Sequence, residues 1–169
     1  MKDIRTLFRD AISRLKERGH KTLYVAVDAH GTIIRPSKKT VVEMSRFGVP
    51  HEVTHSFGTD SEMSFYPDAR EALIKMAESG VRLILWTSTR DPRGLVMELL
   101  KSGLSFYYLN FNPEFQSTPY ADFSKKFYFD VLLDDKAGFE PEKDWKKILE
   151  IDFGKELKQE DMPGERERQ

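Results

Sequence analysis

The chain has 169 residues and 39% hydrophobic content, which is enough for one sizeable core and favours a single domain. Its 27 basic and 28 acidic residues leave a formal net charge of -1, which excludes the broad positive field that non-specific binding to nucleic acid or to an anionic membrane requires. The sequence has no cysteine, no apolar signal-peptide core and no apolar run long enough to span a bilayer, so we expect a soluble, cytoplasmic protein without disulfides or thiolate chemistry.

The amino-terminal third of the chain predicts a helix, a buried strand and a less regular insertion. Apolar residues recur at helical spacing over 3–18, and Gly19 ends this predicted amphipathic helix. The run TLYVAV at 22–27 is nearly continuous in its hydrophobicity, which is typical of a strand covered on both faces. Two alternating pieces within 33–66 predict either a hairpin or an irregular flap.

The remainder of the chain alternates helical and strand patterns. Helices are predicted at 67–80, 91–103 and 141–151, and strands at 81–87, 105–110 and 127–134. This alternation predicts a Rossmann-like, doubly wound α/β fold with a mostly parallel sheet and helices on both faces. We expect residues 1–154 to form one domain and residues 155–169 to form a polar tail.

Polar residues that follow the predicted strands are the candidate site, because parallel α/β sheets bind ligands beyond the carboxyl ends of their strands. Asp28 and His30 follow the first strand, and Thr87 and Ser88 follow the second. Asp134 and Asp135 end the fourth strand, and Lys125 and Lys126 come just before it.

The order of these motifs resembles that of the haloacid dehalogenase (HAD) superfamily of phosphotransferases. The shared features are an apolar strand that ends in Asp-x-x-Gly-Thr, a later strand that ends in Thr, then a lysine, then a strand that ends in Asp-Asp. The likeness covers residues 22–140, and the segments YPDAREALIKMAESGVRLILWTS and DVLLDDKAGF resemble small phosphatases of that superfamily. The resemblance implies a HAD-like fold with a small or absent cap and a phosphatase that acts through an aspartyl-phosphate on a small phosphorylated substrate.

The resemblance also implies a magnesium site. Asp28 would be the nucleophile, and Mg²⁺ would lie between a carboxylate oxygen of Asp28, the backbone carbonyl of His30 and Asp134. Asp135 would bind the ion through water or orient its ligands. Phosphate esters are anionic and resist nucleophiles, so a divalent cation beside the nucleophile suits their chemistry.

The remaining candidates would bind the phosphoryl group. By the resemblance, Thr87 donates its hydroxyl and Ser88 its backbone amide to the phosphoryl oxygens. A lysine would neutralise the nucleophile and the phosphate together. We favour Lys126 for this role, and Lys125 remains the alternative.

His30 is a departure from the superfamily pattern. The phosphatases generally have a second aspartate at this position, which protonates the leaving group and then activates water. Histidine titrates near neutral pH and is a common acid and base, so catalysis with a changed pH dependence is one hypothesis. The alternative is a catalytically weak HAD-like domain that binds a phosphorylated ligand or a protein partner.

A phosphoacceptor receiver domain also uses Asp, Thr or Ser, Lys and an acidic pair. Chain order argues against this interpretation. Receivers have the acidic pair after the first strand and the acceptor aspartate in mid-chain, whereas here the single aspartate comes first and the pair comes last.

Overall fold

The computed structural model describes residues 3–36, 39–44, 50–55, 63–119, 121–124 and 126–158. Within these ranges the chain alternates helices and strands. In chain order the elements are α1 (Ile4–Glu17), β1 (Tyr24–Asp28), β2 (Lys39–Met44), β3 (Pro50–His55), α2 (Ala69–Glu78), β4 (Arg82–Trp86), α3 (Pro92–Lys101), β5 (Tyr108–Leu109), β6 (Val131–Leu133), α4 (Pro141–Leu149) and α5 (Phe153–Leu157), with a short 3-10 helix at Asp135–Ala137.

A parallel sheet with the strand order β5-β4-β1-β6 forms the centre of the fold. Along the pairing of β1 with β4, Tyr24 lies opposite Arg82 and Asp28 lies opposite Trp86. β1 has a neighbour on each side, which explains why its sequence is continuously apolar. The predicted Rossmann-like, doubly wound α/β class is confirmed.

The direction of the chain across this sheet locates the crevice. The connections from β1 to β4 and from β4 to β5 run one way through α2 and α3, whereas the connection from β5 to β6 returns past β1. Right-handed crossovers therefore lie on opposite faces, and the reversal falls between β1 and β6. A ligand crevice is expected at the carboxyl ends of these two strands.

The two faces of the sheet are covered differently. Val25 and Val27 belong to the main core, which contains buried apolar residues from all five described helices, whereas Tyr24 and Ala26 belong to a second cluster. Aromatic rings dominate this second cluster: Tyr24, Phe127, Tyr108, Phe115, Tyr128 and Phe129. The sequence predicted helices on both faces, but in the described part of the chain the second face is covered by this aromatic connection. Large rings bury enough apolar area to replace a helix there.

Local sequence explains most helix boundaries. The apolar stripe of α1 is buried, and α3 begins at Pro92 with the Asp91 side chain accepting a hydrogen bond from the Gly94 amide at 2.9 Å. α2 and α3 end just before Gly80 and Gly103, whose φ angles of +87° and +80° suit glycine.

Several element boundaries also differ from or refine the sequence-based prediction. β2 and β3 pair antiparallel, so the insertion contains a hairpin. β6 starts at Val131 instead of residue 127. Its ladder partner β1 begins only at Tyr24, and the hydrogen bond from the Asp130 amide to the Tyr24 carbonyl is therefore where the pairing of the two strands begins. α5 continues to Leu157, into the segment predicted as a tail, because the buried Phe153 packs edge-on against Phe8; residues 159–169 of that segment lie outside the described residues.

Among the described residues, no helix combines the length and apolar character that a bilayer crossing requires.

Candidate active site

Three carboxylates converge at the carboxyl ends of β1 and β6. Ligand oxygens of Asp28, Asp134 and Asp135 all lie within 4.8 Å of one another. Asp28 ends β1, Asp134 follows β6 directly and Asp135 begins the 3-10 helix. The predicted convergence is confirmed, and the role of these residues as metal ligands stays a prediction.

Buried Thr32 fixes the acidic pair relative to β1. The Asp135 amide donates a hydrogen bond to Thr32 Oγ1 at 3.0 Å, and Trp145 Nε1 donates to the Thr32 carbonyl oxygen at 2.8 Å. The Lys136 amide donates to Asp134 Oδ1 at 2.8 Å. The threonine of the Asp-x-x-Gly-Thr motif therefore links the loop after β1 to the turn after β6 and to the α4 core.

Gly31 leaves the space that Asp135 occupies. Its φ angle is +88°, and an added Cβ would lie 2.9 Å from Asp135 Oδ2. A side chain at position 31 would be strained by its backbone conformation and would also clash with the carboxylate. The glycine of the motif therefore permits the close approach of the acidic pair.

The environment of Asp28 disfavours its charged form. Its Oδ2 is buried and accepts no hydrogen bond from any described residue. Burial, and then the charge of Asp134, raises the pKa of Asp28 to about 6, while the charge of Lys136 opposes the rise. Hard carboxylate oxygens crowded in this way, with a buried Asp28 oxygen that accepts no hydrogen bond, are the donor set that Mg²⁺ prefers, so the residues present fit a divalent cation.

Lys136 is a candidate residue that the sequence reasoning missed. Its Nζ lies 3.3 Å from Asp135 Oδ1, and this hydrogen bond raises the pKa of Lys136, with smaller contributions from the charges of Asp28 and Asp134. The side chain is 78% exposed, so water screens the attraction between its positive charge and the three carboxylates. The available signal was its position immediately after the Asp-Asp pair.

The predicted phosphate lysine stays a prediction. Lys125 lies outside the described residues. Lys126 is exposed and forms no ion pair with a described residue. Phe127, the residue after Lys126, packs against Trp86 with 5.2 Å between ring centroids. Because Trp86 ends β4, the backbone at Lys126 passes near the carboxyl end of that strand.

His30 lies in the turn directly after β1. Its backbone bridges to Ile34, and the side chain is half-buried. Burial, followed by the charge of Lys136, lowers the pKa of the His30 imidazole below its usual value, so the neutral form is favoured at pH 7. Its acid or base role stays a prediction.

Asn110 supports Thr87 and was not identified from the sequence. Its side-chain amide spans the Thr87 backbone, since Oδ1 accepts from the Thr87 amide at 2.8 Å and Nδ2 donates to the Thr87 carbonyl at 2.7 Å. Thr87 itself is buried, its Oγ1 accepts from the Thr89 amide at 3.3 Å, and Ser88 beside it is exposed. The available signal was the position of an asparagine at the end of a predicted strand. Asparagine tolerates the positive φ angle of 52° that residue 110 adopts.

The fold and the cluster together define a Rossmann-like α/β protein with three clustered aspartates at the carboxyl ends of its strands. No protein-family model matches this chain, and no curated protein matches it. A solved structure of a conserved protein from Bacteroides thetaiotaomicron is similar: it is 26% identical, the match covers 76% of this chain and 88% of that chain, and the TM-score is 0.49.

Proposed function

We propose that this protein is a Mg²⁺-dependent phosphatase of the HAD type, which hydrolyses a small phosphomonoester through an aspartyl-phosphate on Asp28. The observation that carries the proposal is the convergence of the Asp28, Asp134 and Asp135 oxygens within 4.8 Å at the switch point of a doubly wound sheet. The motif order and the buried, unpaired Oδ2 of Asp28 support it.

The three aspartates would hold the metal. When bound, the ion would compensate the negative charge of the carboxylates and of the substrate phosphate. Thr32 accepts from the Asp135 amide through its hydroxyl, and Gly31 leaves the space that Asp135 occupies, so both keep the acidic pair beside the end of β1. The fold therefore holds three carboxylates close together although their negative charges repel one another when no cation is bound.

The chemistry proceeds in two displacements. In the first, an Asp28 oxygen attacks phosphorus, the bond to the ester oxygen breaks, and the leaving oxygen takes up a proton. In the second, water attacks the aspartyl-phosphate, loses a proton, and releases phosphate and the Asp28 carboxylate. The Thr87 hydroxyl and the Ser88 amide would orient the phosphoryl oxygens, and Lys126 would add positive charge.

His30 fits the second displacement better than the first. A neutral imidazole accepts the proton of the attacking water, whereas protonation of the leaving oxygen needs the imidazolium. This same observation favours the second candidate function, a catalytically weak domain that binds phosphorylated ligands.

Turnover of p-nitrophenyl phosphate, with Mg²⁺ and with EDTA, tests the proposal. We expect activity only with Mg²⁺, and a loss of at least ~100-fold in Asp28→Asn. Asp152→Asn is the matched control, because this aspartate caps α5 outside the cluster and asparagine also caps helices.

Two outcomes separate the candidates. Activity that persists in Asp28→Asn contradicts the covalent mechanism. An inactive native protein that gains activity through His30→Asp supports the binding domain instead.

A further inference from the structure

We propose that Trp86, supported by Phe127, is a stacking surface for a planar aromatic ring on the phosphomonoester, so that the substrates are nucleoside or aryl phosphates. The inference rests on the proposed function, whose substrate class it specifies.

The strand register brings the indole to the nucleophile. Trp86 lies opposite Asp28 on neighbouring parallel strands, which are separated by about 4.8 Å. Paired residues point to the same face of a sheet, and the alternation of β4 agrees, since Leu85 belongs to the main core and Ile84 to the aromatic cluster. Trp86 and Asp28 therefore extend on the same side.

Trp86 is exposed although its residue type is usually covered. Its exposed fraction is 41%, whereas Trp145, the other tryptophan of the chain, is fully buried in the main core. A large aromatic ring that is exposed beside a ligand crevice is typical of a binding surface.

The ring is also held in place before any ligand arrives. Phe127 is only 6% exposed and lies against Trp86, with a centroid distance of 5.2 Å and an interplanar angle of 52°. The supporting phenylalanine restricts the indole on one side and leaves the remaining surface available. A preorganised ring loses little conformational entropy when a ligand stacks on it.

A positive charge next to the aromatic pair in the sequence suits a phosphorylated ligand. Exposed Lys126 directly precedes Phe127, so a cation lies next to the aromatic pair along the chain. A phosphoryl group at Asp28 would be held on the strand next to Trp86, whose backbone is about one strand spacing away. A flat aromatic substituent gains stacking energy there, whereas a small alkyl substituent gains much less.

Tyr107 provides a matched control. It is also an exposed aromatic residue, but its ring lies against the Arg82 guanidinium, 4.2 Å from the ring centroid. Arg82 begins β4 and Trp86 ends it, and the Tyr107 amide donates to the Leu83 carbonyl. Tyr107 therefore lies toward the amino-terminal end of the strands, away from the crevice.

Binding is measured by tryptophan fluorescence and calorimetry in the Asp28→Asn protein with Mg²⁺ present, so that the probes bind without being hydrolysed. The three probes are adenosine 5′-monophosphate, phenyl phosphate and glycerol phosphate. We expect saturable quenching by the first two and none by the third. Trp86→Phe should remove the quenching, because buried Trp145 is shielded. The two aromatic probes distinguish a nucleobase from a simple aryl group.

Steady-state kinetics provide the second readout. In Trp86→Ala, the ratio of kcat/KM for aromatic over glycerol phosphate should fall about tenfold, with Trp86→Phe intermediate and Tyr107→Ala unchanged. Trp86-dependent binding without turnover would refute the proposed function and uphold the stacking surface. Turnover with an unchanged ratio in Trp86→Ala, or equal binding of all three probes, would overturn the stacking surface alone.

Discussion

Asp28 illustrates how a single residue couples folding to function. Folding removes its carboxylate from water and brings Asp134 and Asp135 close to it, and both effects disfavour its charged form. The geometry that makes the cluster suitable for a cation therefore costs stability in the metal-free protein.

The raised pKa of Asp28 predicts a specific pH dependence of stability. The folded pKa of about 6 exceeds the ordinary value of 3.8 for an aspartate, so the folded state binds the extra proton and stability is lost as pH rises from about 4 through 6. At pH 7.5 in EDTA, Asp28→Asn should raise the free energy of unfolding by roughly 1–3 kcal/mol.

Urea unfolding between pH 4 and pH 8 measures this difference. It should shrink toward zero near pH 4, where Asp28 is protonated and resembles asparagine. Asp152→Asn should have little effect at either pH. A difference that is constant across this range, or a destabilised Asp28→Asn protein at pH 7.5, would contradict the electrostatic account.

Short connections between elements determine the geometry of the cluster. The turn after β1 and the 3-10 helix after β6 are joined through Thr32, which has no exposed surface. The link joins the Asp135 amide to the Thr32 hydroxyl, and the sequence motif alone does not reveal this partner.

Thr32→Val tests this link, because it preserves side-chain shape while removing the acceptor of the Asp135 amide. We expect a loss of about 1–3 kcal/mol in unfolding free energy and about tenfold weaker Mg²⁺ binding. Thr32→Ser retains the hydroxyl and should bind Mg²⁺ more tightly than Thr32→Val in calorimetry. Equal Mg²⁺ affinities for the two variants would show that the hydrogen bond does not support the site.

Strongly periodic elements were predictable, and short ones were not. α1, α2 and α3 carry their apolar stripes and terminal signals in the local sequence. The strands β5 and β6 are shorter than the sequence predicted. The length of a strand depends on how far the neighbouring strand can pair with it, and residue propensity alone does not show this.

At the scale of the whole molecule, the parallel sheet makes one site from distant segments. β1 and β6 are neighbours in the sheet although most of the chain lies between them. Metal binding at their ends should therefore stabilise the fold as a unit, since the unfolded chain does not bring the three aspartates together.

A thermal shift experiment tests this linkage. At a Mg²⁺ concentration of about 100 times the dissociation constant, the folded state gains about 2.7 kcal/mol, which corresponds to roughly 5–10 °C in Tm for a chain of this size. Asp134→Asn should reduce the shift strongly and Asp152→Asn should not. Equal shifts in all three proteins would indicate a general salt effect instead of a site.

The sequence by itself determined the α/β class, the parallel sheet and the candidates Asp28, Asp134 and Asp135, because apolar periodicity and strand-end polarity are local properties of the chain. Only the tertiary structure revealed the aromatic second face, Lys136, Asn110 and the pairing of Trp86 with Asp28. Those features depend on strand register and on contacts between remote segments, which local residue patterns do not encode.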